Sequence, residues 1–579
     1  MNALKLTVLA FLSSFGSAFS PAPNPKPLDE SESIRFSRTG RKGMIVADDE
    51  QSAELGAQVL RKGGNAIDAA VATAFGMAVT RPHFASLGGG GFLVFCPSPK
   101  SNRNGSCSVV DFREMAPSAA TRDMYLKEGK AIANLSRNGA LASGVPGVTA
   151  GLLYALEKFG TKNRKELLAN PIRWAKNGIT VSTHTETAAN RRWSNMNEAA
   201  KKIFGCGHAV EGPCRSGELL KQADLARVMQ AISDHGASGF YKGSWAQKMV
   251  SEIRKEKGIL TQQDFETYTP KERSPVRGFY KGYEVVTMPP PSSGGTVLLQ
   301  MLAFMERADS SGQMKAGFGS VASIHAQLHA MTLAFADRAQ HMGDPDFHPV
   351  PVNQLLATNY LNDRWKSFDS TKANLNVSSG SPAPEPTHTT HFSAMDASGN
   401  AVAVTLTVND YFGSGFVPSG TGVVMNNQMD DFSAQPGVPN LFGLVGAEAN
   451  AITPGKRPLS SMSPTIVRDM DGNNRIVLGA AGGPKIITSV FQTLVNRLQF
   501  DMPLADAVAA PRIHHQWKPL IVRVENNGLS IETREKLTTM GYAIESDGGL
   551  GVVHSLERFA SGRIVGVPDP RGEGSAVAE

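Results

Sequence analysis

Hydrophobic and polar positions follow a helical period in some parts of this chain and a strand period in others. Residues 43–47 form a short apolar run typical of a buried strand, and residues 51–62 place their apolar side chains on one stripe of a helix. A second helix is predicted over 66–79, with Asn65 as its N-cap. This helix is apolar all round, which predicts that it is buried. The pattern therefore predicts helices packed against a sheet.

Helical periodicity dominates from about residue 147 to 365, and a proline-rich loop at 288–295 interrupts it. After residue 389 the pattern becomes strand-like, with one further helix over 486–498. The predicted strands are residues 43–47, 92–95, 109–114, 390–395, 401–408, 422–425, 464–467 and 476–478. Together these elements predict a mixed α/β (α+β) fold.

The segment between the two patterns has a composition that cannot form a core. Residues 378–386 read SSGSPAPEP, which is typical of an exposed linker. Directly after it, Thr389 begins a strand-like run. An exposed linker that runs into a threonine-initiated strand predicts a proteolytic boundary.

Composition narrows the class of protein. The 579 residues are 41% hydrophobic and 19% charged, which fits a folded protein and not a disordered one. The net charge of +6 is scattered, which argues against dedicated nucleic-acid binding. The four cysteines lack zinc-site spacing. They fall in two local pairs, Cys96 with Cys107 and Cys206 with Cys214, and the pattern leaves open whether these pairs are disulfides or free thiols.

The first residues resemble a secretory signal. Lys5 precedes an apolar run over 6–12 and then small residues, so we predict a signal peptide over 1–18, with cleavage as late as Ser20 as an alternative. Elsewhere no run of about 20 apolar residues predicts a membrane span. The sequence therefore predicts an exported protein without a membrane span after signal removal.

Thr389 has one chemical role that would explain a cut in front of it. A threonine hydroxyl is a weak nucleophile until a base lies beside it, and a new N-terminal amine, with a pKa of roughly 7.7–8.0, can be that base. Taken alone, a threonine at the start of a strand is more often only a β-propensity effect.

Several longer motifs elsewhere in the chain bear on the role of Thr389. They are GGNAIDAA (63–70), LGGGGF (87–92), DFRE (111–114), GVPG (144–147), TTHFS (389–393), NNQMDDF (426–432), PLSSMSPT (458–465), GG (482–483) and DPRG (569–572). From about Gly43 to its C-terminus the chain resembles the γ-glutamyltranspeptidases, or glutathione hydrolases. The resemblance implies an Ntn-hydrolase fold, a four-layer αββα sandwich.

The resemblance also implies a proenzyme that cuts itself between His388 and Thr389. The products would be a large subunit, 19–388, and a small subunit, 389–579, which share one core. It implies that Thr389 is the nucleophile, that Thr407 orients it, and that Gly482 and Gly483 form the oxyanion hole.

The same resemblance implies a binding site for the two charged groups of a γ-glutamyl substrate. A guanidinium binds a carboxylate bidentately, and an ammonium group needs oxygen acceptors. The implied residues are Arg113, Ser460 and Ser461 for the α-carboxylate, and Asn409, Gln428 and Asp431 for the α-ammonium group.

The implied activity is cleavage of glutathione and related γ-glutamyl compounds through a Thr389 acyl-enzyme. Water, amino acids or dipeptides would accept the acyl group, and no metal or organic cofactor is implied. Residues 436–446 look like the lid loop of bacterial members, which favours a periplasmic location over secretion. Phe442 stands where many of those members carry a tyrosine, and the resulting hypothesis is a looser lid.

Two alternatives remain. A cephalosporin (glutaryl) acylase shares this scaffold, but its substrates lack the α-ammonium group that Asp431 would bind. An uncleaved, non-catalytic exported binding protein is the second alternative.

Overall fold

The computed structural model of the uncut chain describes residues 36–100, 105–208, 211–377, 389–433 and 447–579. Up to residue 377 the strands are β1 (Arg38–Gly40), β2 (Met44–Ala47), β3 (Gly90–Cys96), β4 (Ser108–Phe112), β5 (Leu126–Lys127), β6 (Lys130–Ala131), β7 (Ile179–Thr180), β8 (Leu219–Leu220), β9 (Lys271–Arg273), β10 (Val276–Tyr280) and β11 (Tyr283–Thr287). From residue 389 onward they are β12 (Thr390–Met395), β13 (Ala401–Thr407), β14 (Thr465–Arg468), β15 (Asn474–Ala481), β16 (Ile513–His514), β17 (Ile521–Glu525), β18 (Ala543–Asp547), β19 (Val552–Arg558), β20 (Ile564–Pro568) and β21 (Ser575–Ala578).

The helices are α1 (Glu50–Arg61), α2 (Ala66–Thr80), α3 (Val148–Phe159), α4 (Arg164–Asn177), α5 (Thr183–Arg192), α6 (Glu198–Phe204), α7 (Ala223–His235), α8 (Ser238–Tyr241), α9 (Gly243–Lys255), α10 (Gln262–Thr267), α11 (Gly294–Ser310), α12 (Val321–His341), α13 (Val352–Leu355), α14 (Thr358–Trp365), α15 (Lys485–Leu498), α16 (Leu504–Ala509) and α17 (Ile531–Thr539). Within the described ranges, no helix combines the length and apolar character needed to cross a membrane.

Two seven-stranded antiparallel sheets form the centre of the molecule. One has the order β1-β20-β19-β15-β14-β11-β10 and the other β21-β2-β12-β13-β3-β4-β9. Helices α1, α2 and α3 contact the second sheet, α11, α15 and α16 contact the first, and the sheets contact each other through β12, β13 and β15. The predicted four-layer αββα sandwich is confirmed, and each sheet contains strands from both sides of residue 389.

Side chains on the central strands alternate between the two faces of the sheet, so one strand contributes to two separate cores. In β13, Val402 and Val404 belong to the core shared with α2, whereas Ala401 and Ala403 belong to the core shared with the other sheet. Both faces of the strand are covered, so both are apolar. This confirms the predicted strand over 401–408, which ends at Thr407 in the structure.

The apolar helix α2 is buried along its whole length, as predicted. Asn65 caps it, and Asp68 completes a capping box by accepting the backbone N–H of Asn65. Helix α1 approaches α2 very closely at Gly56, where an added Cβ would lie 2.3 Å from the Thr73 hydroxyl oxygen. The small residues of the two helices therefore fix the distance between them.

One predicted strand is wrong, and one hairpin was not predicted. Residues 422–425 form no strand, only an isolated bridge between Met425 and Gly88. Met425 instead donates its N–H to the Phe416 carbonyl of a neighbouring loop, and Gly422 has a left-handed φ of +68° that breaks the extended conformation. The helical region 147–365 also contains the hairpin of β10 and β11, which the predicted pattern missed.

Most other predicted elements are confirmed within one or two residues at each end. The proline-rich loop leads into α11 at Gly294 rather than at residue 296. Both cysteine pairs form disulfides, Cys96 with Cys107 and Cys206 with Cys214. The predicted signal peptide, the linker 378–386, His388 and Phe442 lie outside the described residues.

Candidate active site

Thr389 lies at the start of a central strand, where its side chain has little freedom. It directly precedes β12 and is 5% exposed. In the antiparallel pairing of β12 with β13, Thr390 lies opposite Leu406, and the same register brings Thr389 opposite Thr407. Both threonines line one pocket. The structure thus brings the predicted nucleophile and its predicted partner together.

The Thr407 hydroxyl is held by the backbone that follows it. It accepts the backbone N–H of Asn409 at 2.8 Å, so its own proton is directed elsewhere. Asn409 has a left-handed φ of +81°, and its amide nitrogen donates to the Asn427 carbonyl at 3.0 Å. Asparagine tolerates this backbone conformation better than most residues. The turn therefore fixes Thr407 and also brings Asn409 to the pocket wall.

Gly482 and Gly483 lie where β15 leads into α15. Their φ angles, +133° and +56°, fall in the region that favours glycine. Gly483 lines the pocket together with Ile486 of α15, whereas Gly482 is not part of the described lining. The N-terminus of α15 therefore lies beside the pocket, where the positive end of the helix dipole favours a negative charge.

Arg113 is fully buried at the end of β4 and makes a direct ion pair. Its Nη2 donates to Asp431 Oδ2, and the same guanidinium donates to the carbonyls of Leu459 at 3.0 Å and Pro458 at 3.2 Å. Burial raises the pKa of the Asp431 carboxyl, and the Arg113 guanidinium opposes that rise. The two residues predicted to bind opposite charges of one substrate thus bind each other in this structure.

The same cluster has two buried acceptor atoms without a hydrogen bond among the described residues. They are Asp431 Oδ1 and Gln428 Oε1. Gln428 Nε2 donates to Asp431 Oδ2 at 2.6 Å, which holds the two side chains together in the turn Gln428–Asp431. An ammonium group is a donor that would satisfy both acceptors.

Ser460 and Ser461 lie on the wall of this pocket, as predicted. Both are buried, and their hydroxyl oxygens accept N–H groups from the protein behind them. Met462 N donates to Ser460 Oγ at 3.1 Å, and Arg338 Nη2 donates to Ser461 Oγ at 3.4 Å. The pocket therefore combines the predicted nucleophile, the N-terminal end of a helix and groups complementary to an α-amino acid.

Comparison with known proteins decides the family. A profile described as gamma-glutamyltranspeptidase matches residues 52–579. The chain belongs to the γ-glutamyltranspeptidase family. It is 40% identical to the glutathione hydrolase proenzyme of Escherichia coli (strain K12), over 98% of this chain and 97% of that protein. It is 41% identical to the glutathione hydrolase proenzyme of Pseudomonas aeruginosa, over 94% and 95% of the two chains.

Solved structures give the same fold. A cephalosporin acylase from Bacillus halodurans matches with a TM-score of 0.79 at 25% identity, over 97% of this chain and 99% of that one. A γ-glutamyltranspeptidase from Helicobacter pylori matches with a TM-score of 0.53 at 39% identity, over 56% of this chain and 90% of that one. The lower TM-score accompanies the shorter matched segment, so it does not favour the acylase.

Two charged residues of this γ-glutamyltranspeptidase site were not among the predicted site residues. Arg338, on α12, lines the pocket, and Glu114 lies beside Arg113 with 3.7 Å between Oε2 and Nη1. Glu114 belongs to the DFRE motif, but the motif assigned it no role. For Arg338 the available signal was a charged residue within a helix whose other positions are largely apolar.

Among the described residues, one group of side chains has the spacing of a metal site, Cys206, Cys214 and Glu218. The two sulfur atoms are joined in a disulfide and do not line the pocket.

Proposed function

We propose that this protein is a glutathione hydrolase and γ-glutamyltransferase whose nucleophile is Thr389. Cleavage between His388 and Thr389 divides the chain into a large subunit, 19–388, and a small subunit, 389–579. The observation that carries the proposal is one pocket in which Thr389 lies with Arg113 and Asp431, which complement the two charges of a γ-glutamyl group.

The cut supplies the base for the reaction. Once the peptide bond before Thr389 is hydrolysed, its new α-amine takes the proton of the Thr389 hydroxyl as the oxygen attacks the γ-glutamyl amide. Backbone N–H groups of Gly482 and Gly483 stabilise the developing oxyanion, a contribution of roughly 3–4 kcal/mol for one donor in comparable sites. The leaving amine takes the proton, and a γ-glutamyl ester of Thr389 remains. Water, an amino acid or a dipeptide then attacks this ester and restores the hydroxyl.

The substrate replaces the ion pair between Arg113 and Asp431. Its α-carboxylate takes the guanidinium of Arg113, and the Ser460 and Ser461 hydroxyls donate to it. Its α-ammonium group takes Asp431 and the acceptor atom of Gln428, with Asn409 beside them. Neither buried charge then loses its partner, which matters because an unpaired buried charge is strongly destabilising.

Cephalosporin acylase activity is the second candidate, since the Bacillus halodurans structure shares this fold. A glutaryl group has no ammonium group, so it would take Arg113 from Asp431 and leave that carboxylate without a cation. We expect wild-type protein to hydrolyse γ-glutamyl-p-nitroanilide far faster than glutaryl-p-nitroanilide. The reverse order would favour the acylase.

The decisive experiment combines N-terminal sequencing with that assay. Wild-type protein should yield two fragments, one beginning Thr-Thr-His-Phe-Ser, and should release p-nitroaniline. Thr389→Ala should remain a single chain and lose activity by about 10⁴-fold or more. Thr390→Val is the matched control, because its hydroxyl is also buried on β12 but has no hydrogen-bond partner among the described residues. An active Thr389→Ala variant would contradict the proposal, as would a wild-type chain that is never cut, which would instead favour the binding protein.

We also propose export to the periplasm. The two disulfides support it, since such bonds persist in oxidising compartments. Cell fractionation should recover the mature protein, beginning at Phe19 or soon after, in the periplasmic fraction. Recovery of the full precursor in the cytoplasm would contradict this.

The looser-lid hypothesis has its own test. Phe442 has no hydroxyl, so Phe442→Tyr should change donor preference or the ratio of hydrolysis to transfer. An unchanged ratio and an unchanged preference would show that the residue type does not matter there.

A further inference from the structure

Arg338 belongs to the pocket but has no part in the mechanism above. It lies on α12 and is 3% exposed. Its Nε donates to Ser293 Oγ at 2.9 Å, and its Nη2 donates to Ser461 Oγ at 3.4 Å. One buried guanidinium therefore connects the substrate-facing Ser461 to the proline-rich loop 288–295.

That loop is fastened to the segment carrying the two site serines. The Ser293 hydroxyl donates to the Ser460 carbonyl at 2.7 Å, and the Ser293 N–H donates to the same carbonyl at 2.9 Å. In return, the Ser460 N–H donates to the Pro291 carbonyl at 3.0 Å. Gly294 lies so close that an added Cβ would be 2.3 Å from Ser463 Oγ. Arg338 thus holds Ser461 directly and the Ser460 backbone through Ser293.

The direction of these hydrogen bonds determines whether each serine hydroxyl can act as a donor or as an acceptor in the pocket. A guanidinium has donors and no acceptor, so Ser461 Oγ must accept from Arg338. Ser460 Oγ likewise accepts from the Met462 N–H at 3.1 Å. Each serine keeps its own O–H proton for a group in the pocket. A carboxylate only accepts hydrogen bonds, so it is the ligand that two donating hydroxyls fit.

We propose that Arg338 is a positioning residue that makes Ser461 a hydrogen-bond donor to the α-carboxylate of the γ-glutamyl donor and, through Ser293, holds the Ser460 backbone in place beside it. This inference rests on the proposed function of the same pocket. It assigns the proline-rich loop a role as the support that connects Arg338 to Ser460.

The test compares two donors that differ only at the α-carboxylate, γ-glutamyl-p-nitroanilide and its α-carboxamide analogue. In Arg338→Met we expect KM for the acid to rise about tenfold or more, because hydrogen bonds to a charged group are strengthened by fixed donors. KM for the amide should change much less, so the ratio of kcat/KM for acid over amide should fall. The double variant with Ser461→Ala should lose little more than either single variant.

Arg364→Met is the matched control. Arg364 contacts Asp337, the residue before Arg338, at 2.8 Å, but does not line the pocket. It should leave the acid-to-amide ratio unchanged. An equal loss for both donors in Arg338→Met, or additive losses with Ser461→Ala, would show a merely structural role and overturn the inference.

If Arg338→Met is not processed, Arg338→Lys provides the same measurement. A lysine keeps the charge, but its single nitrogen cannot reproduce the two-nitrogen contact with Ser293 and Ser461. A lowered acid-to-amide ratio supports the inference, and a wild-type ratio overturns it. Failure of the proposed function itself looks different, because wild-type protein would then release no p-nitroaniline from the acid donor.

Discussion

At the scale of single residues, Glu114 is a buried carboxyl group that the proposed reaction does not use. It is 0% exposed, and neither carboxyl oxygen accepts a hydrogen bond within the described residues. Its 3.7 Å approach to Arg113 suggests an ion pair, but Arg113 directs its hydrogen bonds to other groups. Burial raises the pKa of Glu114 to about 8, so the group is protonated at neutral pH. Arg113 is then available to form its ion pair with Asp431 or with a substrate carboxylate.

This protonation makes stability depend on pH. An unfolded glutamate loses its proton near its ordinary pKa of 4.5, whereas the folded one keeps it until about pH 8. The native state therefore binds the extra proton, and the free energy of unfolding falls as pH rises across that window. We expect Glu114→Gln to remove this slope, with a difference of a few kcal/mol, on the order given by a shift of several pKa units.

Urea unfolding at pH 6 and pH 9 measures the difference. The wild-type protein should lose more stability than the glutamine variant between the two values. Parallel losses would show that Glu114 is already ionised in the folded protein.

The sequence predicted some residues of the pocket and missed others. Arg113 and Asp431 stand in motifs specific enough to carry a role, and the structure places them in contact. Arg338 lies in a helix whose sequence pattern predicts an ordinary buried helix. Its role depends on Ser293 and Ser461, which are 45 and 123 residues away along the chain, and such a contact leaves no local pattern.

At the scale of elements, the two disulfides close different kinds of loop. Cys96 ends β3 and Cys107 directly precedes β4, so their bond ties the hairpin whose second strand leads to Arg113. Both of these cysteines are buried. The Cys206–Cys214 bond ties the segment after α6, in which Cys206 is partly exposed and Cys214 is buried.

We expect loss of the hairpin disulfide to be the more costly change. The double variant Cys96→Ala/Cys107→Ala should lower the free energy of unfolding by roughly 2–4 kcal/mol. The double variant Cys206→Ala/Cys214→Ala is the matched control and should lose less, because its bond closes a shorter loop, with a sequence separation of 8 instead of 11, and joins no strands of the two central sheets. Urea unfolding of the two variants under the same conditions measures the difference. Equal losses of unfolding free energy in the two variants would contradict the prediction.

Predicted strands were correct where side chains alternate, as in β12, and where β-branched residues are frequent, as in β13. The prediction failed at 422–425, where apolar residues are buried by loop contacts without a strand partner. It also failed at β10, an edge strand in which exposed Arg277 and Phe279 alternate with buried Gly278 and Tyr280. The apolar pattern indicates which residues are buried, but it does not show whether a buried segment has a strand partner.

At the scale of the whole molecule, the parts before and after residue 389 are interleaved. Strands β12 and β13 lie between β2 and β3, and β14 lies between β11 and β15. Sequence patterns alone predicted α/β elements, and only the family resemblance implied two stacked sheets. Neither sheet order nor this interleaving could be predicted from local pattern, because every strand of the two sheets except β10 pairs with at least one strand far away in sequence.

Interleaving predicts how the cut enzyme unfolds. Separating the subunits would break the ladders of β2 with β12 and of β3 with β13, which lie inside one sheet. The two fragments should therefore elute together and unfold in a single transition. Because unfolding then releases two chains from one particle, the melting temperature of the cut protein should rise with protein concentration. Uncut Thr389→Ala releases one chain, so its melting temperature should not change with concentration. Two separate transitions in the cut protein, or fragments that part under native conditions, would show that the shared core does not hold the subunits together.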